Sequence, residues 1–140
     1  MLVGLALGMM LAPAAARAVS VPPALAEALR ALGLEAERVA WSSELVLTAP
    51  ELAEDGAAVP VSLLLPEGTR PVELHLFAPG NRKAWLASFT PLSELARPEW
   101  RLRIRVGRSQ TLAAVARLAD GRLLGATAEV RITAGGGCRS

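Results

Sequence analysis

Apolar and polar residues alternate in short runs from Ser43 onward, and turn residues such as Gly68 and Gly121 separate the runs. Strands that bury every second side chain produce this pattern in β-sandwiches. We predict strands at 44–48, 59–65, 71–78, 83–89, 100–106, 111–118 and 123–133. The pattern therefore favours an all-β chain whose sandwich domain spans residues 43–134.

The fifth predicted strand shows the alternation most clearly. Three arginines would face outward and three apolar residues would face the core, in the order Arg101, Leu102, Arg103, Ile104, Arg105 and Val106. We interpret the arginines as a solvated face, although such a cationic row also suits an anionic ligand or partner. His75 lies in a similar alternating run, so we predict that it occupies the solvent face of its strand rather than a metal or catalytic site.

Before the strands, residues 19–42 contain a helical pattern. Pro22 and Pro23 open a segment in which Leu25, Leu29 and Leu32 recur at helical spacing, and Gly33 supplies a stop. The sequence therefore predicts one short amphipathic helix. Its apolar stripe would cover the domain or a partner, because the basic face of a membrane-surface helix is absent.

Residues 1–18 have the pattern of a signal peptide. An apolar run over 2–11 precedes the small residues Ala14, Ala16 and Ala18, and we predict cleavage after Ala18. The run is too short to cross a bilayer, and no nearby cysteine would carry a lipid, so no stable membrane anchor is predicted. No basic residue precedes the run, which leaves the export route open.

The composition limits the possible chemistry. The 140-residue chain is 52% hydrophobic and 20% charged, as expected for one globular domain, and its net charge of +2 predicts no nucleic-acid surface. One cysteine and one histidine exclude an internal disulfide and a zinc site made from these residues alone. No phosphate loop or serine-histidine-aspartate set is recognisable. We therefore interpret the chain as a non-catalytic protein without a cofactor.

The only cysteine, Cys138, follows Gly135, Gly136 and Gly137. Three consecutive glycines cannot hold one conformation, so residues 135–140 are predicted to form a flexible arm with a thiol at its tip. The stretch 134–138 would reach roughly 17 Å, at about 3.3–3.6 Å per residue. A catalytic cysteine needs a neighbouring base, so Cys138 is interpreted as an attachment point.

Three blocks of the sequence, in this order and spacing, resemble the SoxY family of sulfur-oxidation carrier proteins. The resemblance covers roughly residues 22–138. The blocks are 49–61, with Glu54-Asp55-Gly56; 103–121, with Arg103-Ile104-Arg105-Val106, Ser109-Gln110-Thr111 and Asp120-Gly121; and 130–138, in which Val130-Arg131-Ile132-Thr133 runs into the glycines and Cys138.

The resemblance implies an immunoglobulin-like sandwich in the periplasm that forms a heterodimer with the companion protein SoxZ. It also implies that sulfur intermediates of thiosulfate oxidation are carried on Cys138. In that family a c-type haem enzyme joins thiosulfate to the cysteine, and a metal-dependent hydrolase releases sulfate.

Three features depart from the family pattern. Arg139-Ser140 replaces the usual glycines after the cysteine, no twin-arginine signal is visible, and Asn81-Arg82 stands where Asn-Pro is common. The sequence leaves two alternatives to the thiosulfate carrier. One is a secreted sandwich subunit whose Cys138 forms an intermolecular disulfide, and the other is a related carrier with a different sulfur donor.

Overall fold

The structure, a computed structural model, describes residues 20–92 and 98–133. Within these residues the helix α1 (Pro23–Ala31) and a 3₁₀ turn (Ala36–Arg38) precede the strands. The strands are β1 (Val39–Trp41), β2 (Val46–Thr48), β3 (Leu52–Ala53), β4 (Val59–Leu64), β5 (Pro71–Phe77), β6 (Trp85–Phe89), β7 (Glu99–Ile104), β8 (Gln110–Leu118) and β9 (Leu123–Ile132).

The strands form two sheets that pack face to face. The larger sheet has the order β1-β9-β8-β5-β6, and β3 also pairs with β9. The smaller sheet has the order β2-β4-β7. Each strand predicted from the sequence is present, with ends that differ by at most two residues. The prediction of a β-sandwich with a short N-terminal helix is therefore confirmed.

Apolar side chains form two separate layers, one on each face of the larger sheet. The main core lies between the sheets and includes Leu63, Leu76 and Leu112. The second layer lies on the opposite face, where α1 buries Leu25 and Leu29 of its leucine stripe. The stripe thus covers the domain itself. Gly33 ends the helical segment with φ +74°, a conformation that favours glycine.

His75 is 4% exposed, so the prediction that it lies on a solvent face is wrong. Residues two apart in a strand share a face, and His75 therefore lies on the side of β5 on which Phe77 packs into the α1 layer. Its Nδ1 lies 2.5 Å from Ser88 Oγ and its Nε2 lies 3.2 Å from Glu73 Oε2. Alternation misleads here because both faces of β5 are covered.

The strands β1 and β3 are absent from the sequence prediction. They have three and two residues, which is too short to show an alternating pattern. Both pair in parallel with β9, β1 with its beginning and β3 with its end. The larger sheet consequently begins at Val39, inside the segment 19–42.

The turn between β8 and β9 is closed by local hydrogen bonds. Gly121 has φ +90°, and Asp120 accepts hydrogen bonds from the backbone N–H and Nε of Arg122, at 3.0 and 2.8 Å. The backbone bond is the main reason that the pKa of Asp120 lies below its ordinary value. This turn starts β9, so it lies at the opposite end of the strand from Cys138.

Gly125 allows β1 to pack closely on β9. It pairs with Trp41 on one side and Val115 on the other, so the three residues share one face of the sheet. A Cβ at Gly125 would lie 2.5 Å from both the Trp41 ring and Val39 Cγ1. The absence of a side chain here therefore makes room for Trp41 under the helix layer.

We expect Gly125→Ala to destabilise the fold by about 1–3 kcal/mol, because the added methyl group overpacks the space between two side chains. Chemical denaturation of the variant and of Thr127→Val, on an exposed part of the same strand, checks this expectation. The control should stay within about 0.5 kcal/mol of the wild type. Equal stability of Gly125→Ala and wild type would contradict the packing argument.

Candidate functional site: the arm root

The predicted attachment residue Cys138 and the glycines 135–137 lie outside the described residues. The structure describes the chain up to Thr133, directly after β9. We call residues 131–133 the arm root, because they connect the sandwich to the predicted arm. How firmly the root is held decides where an arm could start.

On one side, the arm root is bonded to β3. The Arg131 N–H donates to the Glu51 carbonyl at 2.9 Å, and the Thr133 N–H donates to the Ala53 carbonyl at 3.0 Å. These bonds form the parallel pairing of β3 with the end of β9. The two-residue strand therefore secures the arm root, and its Ala53 also joins the main core.

On the other side, a side chain supplies the hydrogen-bond acceptor beyond the end of the strand pairing. The pairing of β8 with β9 ends at Gln110 and Val130. Beyond it, the Ile132 N–H donates to Ser109 Oγ at 2.8 Å. Because Ser109 supplies the acceptor that β8 no longer offers, the arm root is hydrogen-bonded on both sides.

The segment before Ser109 is held by close backbone contacts. The Val106 N–H donates to the Gly56 carbonyl at 2.7 Å. A Cβ at Gly56 would collide with the Val106 carbonyl oxygen and would lie 3.6 Å from Ile132 Cγ2. Only glycine fits between the two segments without a shift of the backbone, which explains the Gly56 of the Glu54-Asp55-Gly56 motif.

Asn81 joins the loop after β5 to the loop after β7. Its Nδ2 donates to the Arg105 carbonyl at 2.9 Å, and its Oδ1 accepts from the Gly107 N–H at 2.8 Å and from Gln110 Nε2 at 3.0 Å. Gln110 Oε1 in turn accepts from the Gly80 N–H at 2.7 Å. This network ties the loop that carries Ser109 to both sheets.

The structure thus brings together the three sequence blocks around the arm root. Glu51, Ala53 and Gly56 come from the first block, Val106 and Ser109 from the second, and residues 131–133 from the third. Separated in sequence, these blocks meet at one end of the sandwich.

Two grooves lie beside this end and meet at Thr48 and Ala49. The first, of about 630 Å³, is lined by Glu51, Glu129 and Arg131 among its charged residues. The second, of about 590 Å³, crosses the outer face of the smaller sheet and is lined by Arg101 and Arg103. An uninterrupted surface therefore leads from the arm root to the arginines of β7.

Comparison with known families shows to which family the chain belongs. The family model described as "Sulfur oxidation protein SoxY" matches residues 30–138, most of the chain, and the match ends at Cys138. The chain belongs to the SoxY family. A search of the curated proteins gives no match.

Among solved structures, the sulfur carrier protein SoxY from Chlorobium limicola f thiosulfatophilum is similar to the chain at a TM-score of 0.61 and 30% sequence identity. The similarity covers 76% of this chain and 94% of that protein. A superoxide reductase (neelaredoxin) from Ignicoccus hospitalis has a TM-score of 0.52 at 16% identity, covering 63% and 79% of the two chains. This second likeness shows a shared fold alone.

Away from the SoxY arm root, the structure aligns a serine, a histidine and a glutamate that sequence analysis does not connect. Arg117 Nη2 lies 2.5 Å from Glu73 Oε1, Glu73 Oε2 faces His75, and His75 faces Ser88 Oγ. Ser88 Oγ also accepts from Trp85 Nε1 at 2.8 Å. Each buried polar side-chain atom in this series has a hydrogen-bond partner. We therefore interpret the series as the hydrogen bonds that allow His75 to be buried.

Residues 20–92 and 98–133 contain no group of three or more potential metal ligands. None of their helices is long and apolar enough to cross a membrane.

Sequence reasoning missed Ser109 and Asn81 as supports of the arm root. The position of Ser109 could have indicated its role, because a hydroxyl side chain directly before a strand can accept a backbone hydrogen bond. Asn81 lies after Gly80 between β5 and β6, and an asparagine in such a loop commonly bonds to nearby backbone groups. Its partners are instead 24 to 29 residues away, at Arg105, Gly107 and Gln110.

We expect Ser109→Ala to loosen the arm root without unfolding the sandwich. The Ile132 N–H loses its acceptor, at a cost of about 0.5–1.5 kcal/mol. Amide hydrogen exchange at Ile132 should become faster than in the wild type. Thr111→Ala is the control, since its side chain has no hydrogen bond within the described residues. Unchanged exchange at Ile132 would show that Ser109 does not hold the root.

Proposed function

We propose that the chain is a periplasmic carrier of sulfur intermediates in thiosulfate oxidation, with the sulfur attached to Cys138. The observation that carries this proposal is the match to the SoxY family, which extends through the glycines to Cys138. The similar Chlorobium limicola protein is itself a sulfur carrier. Export rests on the signal-like pattern of residues 1–18.

The attachment reaction is an oxidation. The Cys138 thiol and thiosulfate form a sulfur–sulfur bond, and one proton and two electrons leave. The resemblance to SoxY implies a c-type haem enzyme as the acceptor of these electrons. Hydrolysis of the resulting thiosulfonate by a metal-dependent partner would consume one water, release sulfate and leave a persulfide on Cys138.

The arrangement of the arm root suits this role. An arm must leave a rigid platform if its tip is to enter the active sites of other proteins. The root is bonded on one side by β3 and on the other by Ser109, so the ordered platform extends to Thr133. Residues 134–138 would then carry the thiol up to roughly 17 Å away.

We also propose SoxZ as a stable companion. Exposed large apolar side chains support a partner, and they include Leu92 at 97% exposure and Leu52 at 62%. Such apolar groups favour association when they are contiguous.

Thiosulfate turnover should modify Cys138 and no other residue. Incubation of the full chain with its companion, thiosulfate and the haem enzyme should add a thiosulfonate mass to the C-terminal peptide, which reductant removes. Cys138→Ser should show no addition, and its stability should change by less than about 0.5 kcal/mol because an arm residue contributes little packing. Protein–protein crosslinks as the only modification of Cys138 would favour the assembly subunit instead.

Arg139→Gly tests the residue that departs from the SoxY pattern. A guanidinium beside the sulfur can pair with an anionic adduct or with a carboxylate of a partner. We expect the substitution to change transfer rates with partner enzymes more than the alkylation of Cys138 by a neutral reagent, because solvent and salt screen its effect on an exposed thiol. Similar changes in both rates would mean that Arg139 acts on thiol reactivity, and Arg139→Lys separates charge from hydrogen-bond geometry.

A further inference from the structure

The outer face of the smaller sheet carries Arg101 and Arg103, and Arg105 follows directly after β7; we call these three residues the arginine row. All three side chains are exposed, as the alternating sequence predicts. Arg101 is paired with Glu99 on the same strand, at 3.1 Å between Nη2 and Oε1. Within the described residues, Arg103 and Arg105 take part in no ion pair, so their charges are not neutralised locally.

The neighbouring strand offers the row no acidic residue. Arg103 pairs with Pro60 in β4, and Arg101 pairs with Ser62. An opposite charge at these cross-strand positions would stabilise the sheet, and both positions lack one. Thr48 pairs with Ser62 on the far side and extends the surface with a hydroxyl group. The basic surface is therefore available to an external partner.

The row lies at the end of the sandwich that holds the arm root. Arg105 is adjacent to Val106, whose N–H donates to the Gly56 carbonyl, and a Cβ at Gly56 would lie 3.6 Å from Ile132 Cγ2 in the root. The grooves beside the root and beside Arg103 also meet at Thr48 and Ala49. A protein that receives the arm must cover this end of the sandwich, and it would meet the arginine row at the same time.

We propose that the arginine row docks the enzymes that act on Cys138, through acidic residues around the entrance of their active sites. This inference rests on the proposed function and adds a surface to it. The occupant is a transient enzyme rather than the companion, because a charged and solvated surface steers association without the apolar burial typical of permanent complexes. A carrier that visits successive enzymes must also dissociate, which favours such a surface.

The same end of the sandwich also carries acidic residues. Glu51 and Glu129 line the first groove, on the other side of Thr48 from the arginines. Arg131 lines the same groove, so the groove beside the root carries two carboxylates and one guanidinium group, whereas the groove on the sheet face is lined by Arg101 and Arg103. A partner's acidic entrance would thus be oriented towards β7, so the row would set the direction of docking as well as its rate.

The test compares two double charge reversals in the full chain bound to its companion. Arg103→Glu with Arg105→Glu reverses the row, and Arg30→Glu with Arg38→Glu makes the same change in net charge on and beside α1, which covers the opposite face of the larger sheet. Association with the c-type haem enzyme is measured at low and high salt. Alkylation of Cys138 by iodoacetamide, a small neutral reagent, is measured in parallel.

We expect the row reversal to slow association about tenfold or more at low salt. At high salt the difference should shrink, because screening removes the attraction. The control reversal should have a much smaller effect, and both variants should react with iodoacetamide like the wild type. Arg103→Gln with Arg105→Gln should give an intermediate rate, and it replaces the reversal if that variant does not fold.

Several results would overturn the inference. If both reversals slowed association equally, the effect would come from net charge alone. If the row reversal left the association rate unchanged, the row would have no role in docking. Loss of the companion from the row variant would assign this face to the permanent interface. If the wild type gains no thiosulfonate on Cys138, the proposed function itself fails, whereas normal loading of both wild type and row variant refutes only the docking surface.

Discussion

The hydrogen bonding of β9 on both of its sides is the constraint on which the rest of the structure depends. The strand pairs with β8 along most of its length, with β1 at its beginning and with β3 at its end. A strand at a sheet edge would fray toward its last residues, and the starting point of the arm would vary. Here Thr133, the last residue that the structure describes, is still bonded to Ala53. Backbone geometry thereby fixes the point from which the proposed arm would start.

The longer strands were predictable from the sequence, and the orientation of their side chains was predictable where only one face of the strand is packed. In β7 the alternation of arginine and apolar residues matches the observed burial, because only one face is packed. In β5 the larger sheet is covered on both faces, so the polar residue His75 is buried beside Phe77 and alternation misplaces it. The three-residue β1 and two-residue β3 escape prediction because parallel pairing over so few positions leaves no periodic signal.

The site was predictable in part. Its sequence blocks were recognisable, and residues such as Gly56 can now be explained by contact with Val106. The supports Ser109 and Asn81 act through hydrogen bonds between residues far apart in sequence, and such partners cannot be read from local composition. The two kinds of surface also differ: apolar groups such as Leu92 suit a lasting companion, whereas the arginines of β7 suit brief encounters with enzymes.

The pairing of β3 with the end of β9 has a mechanical consequence. Under the proposed function, an enzyme that holds the tip of the arm would pull along the axis of β9 as the two proteins separate. Strand hydrogen bonds lie across that axis, so the bonds to β8, β1 and β3 are loaded together in shear instead of opening one after another. A terminal segment attached at a sheet edge would peel away under the same pull. This pairing would let the domain keep its shape while force is applied repeatedly to its C-terminal end.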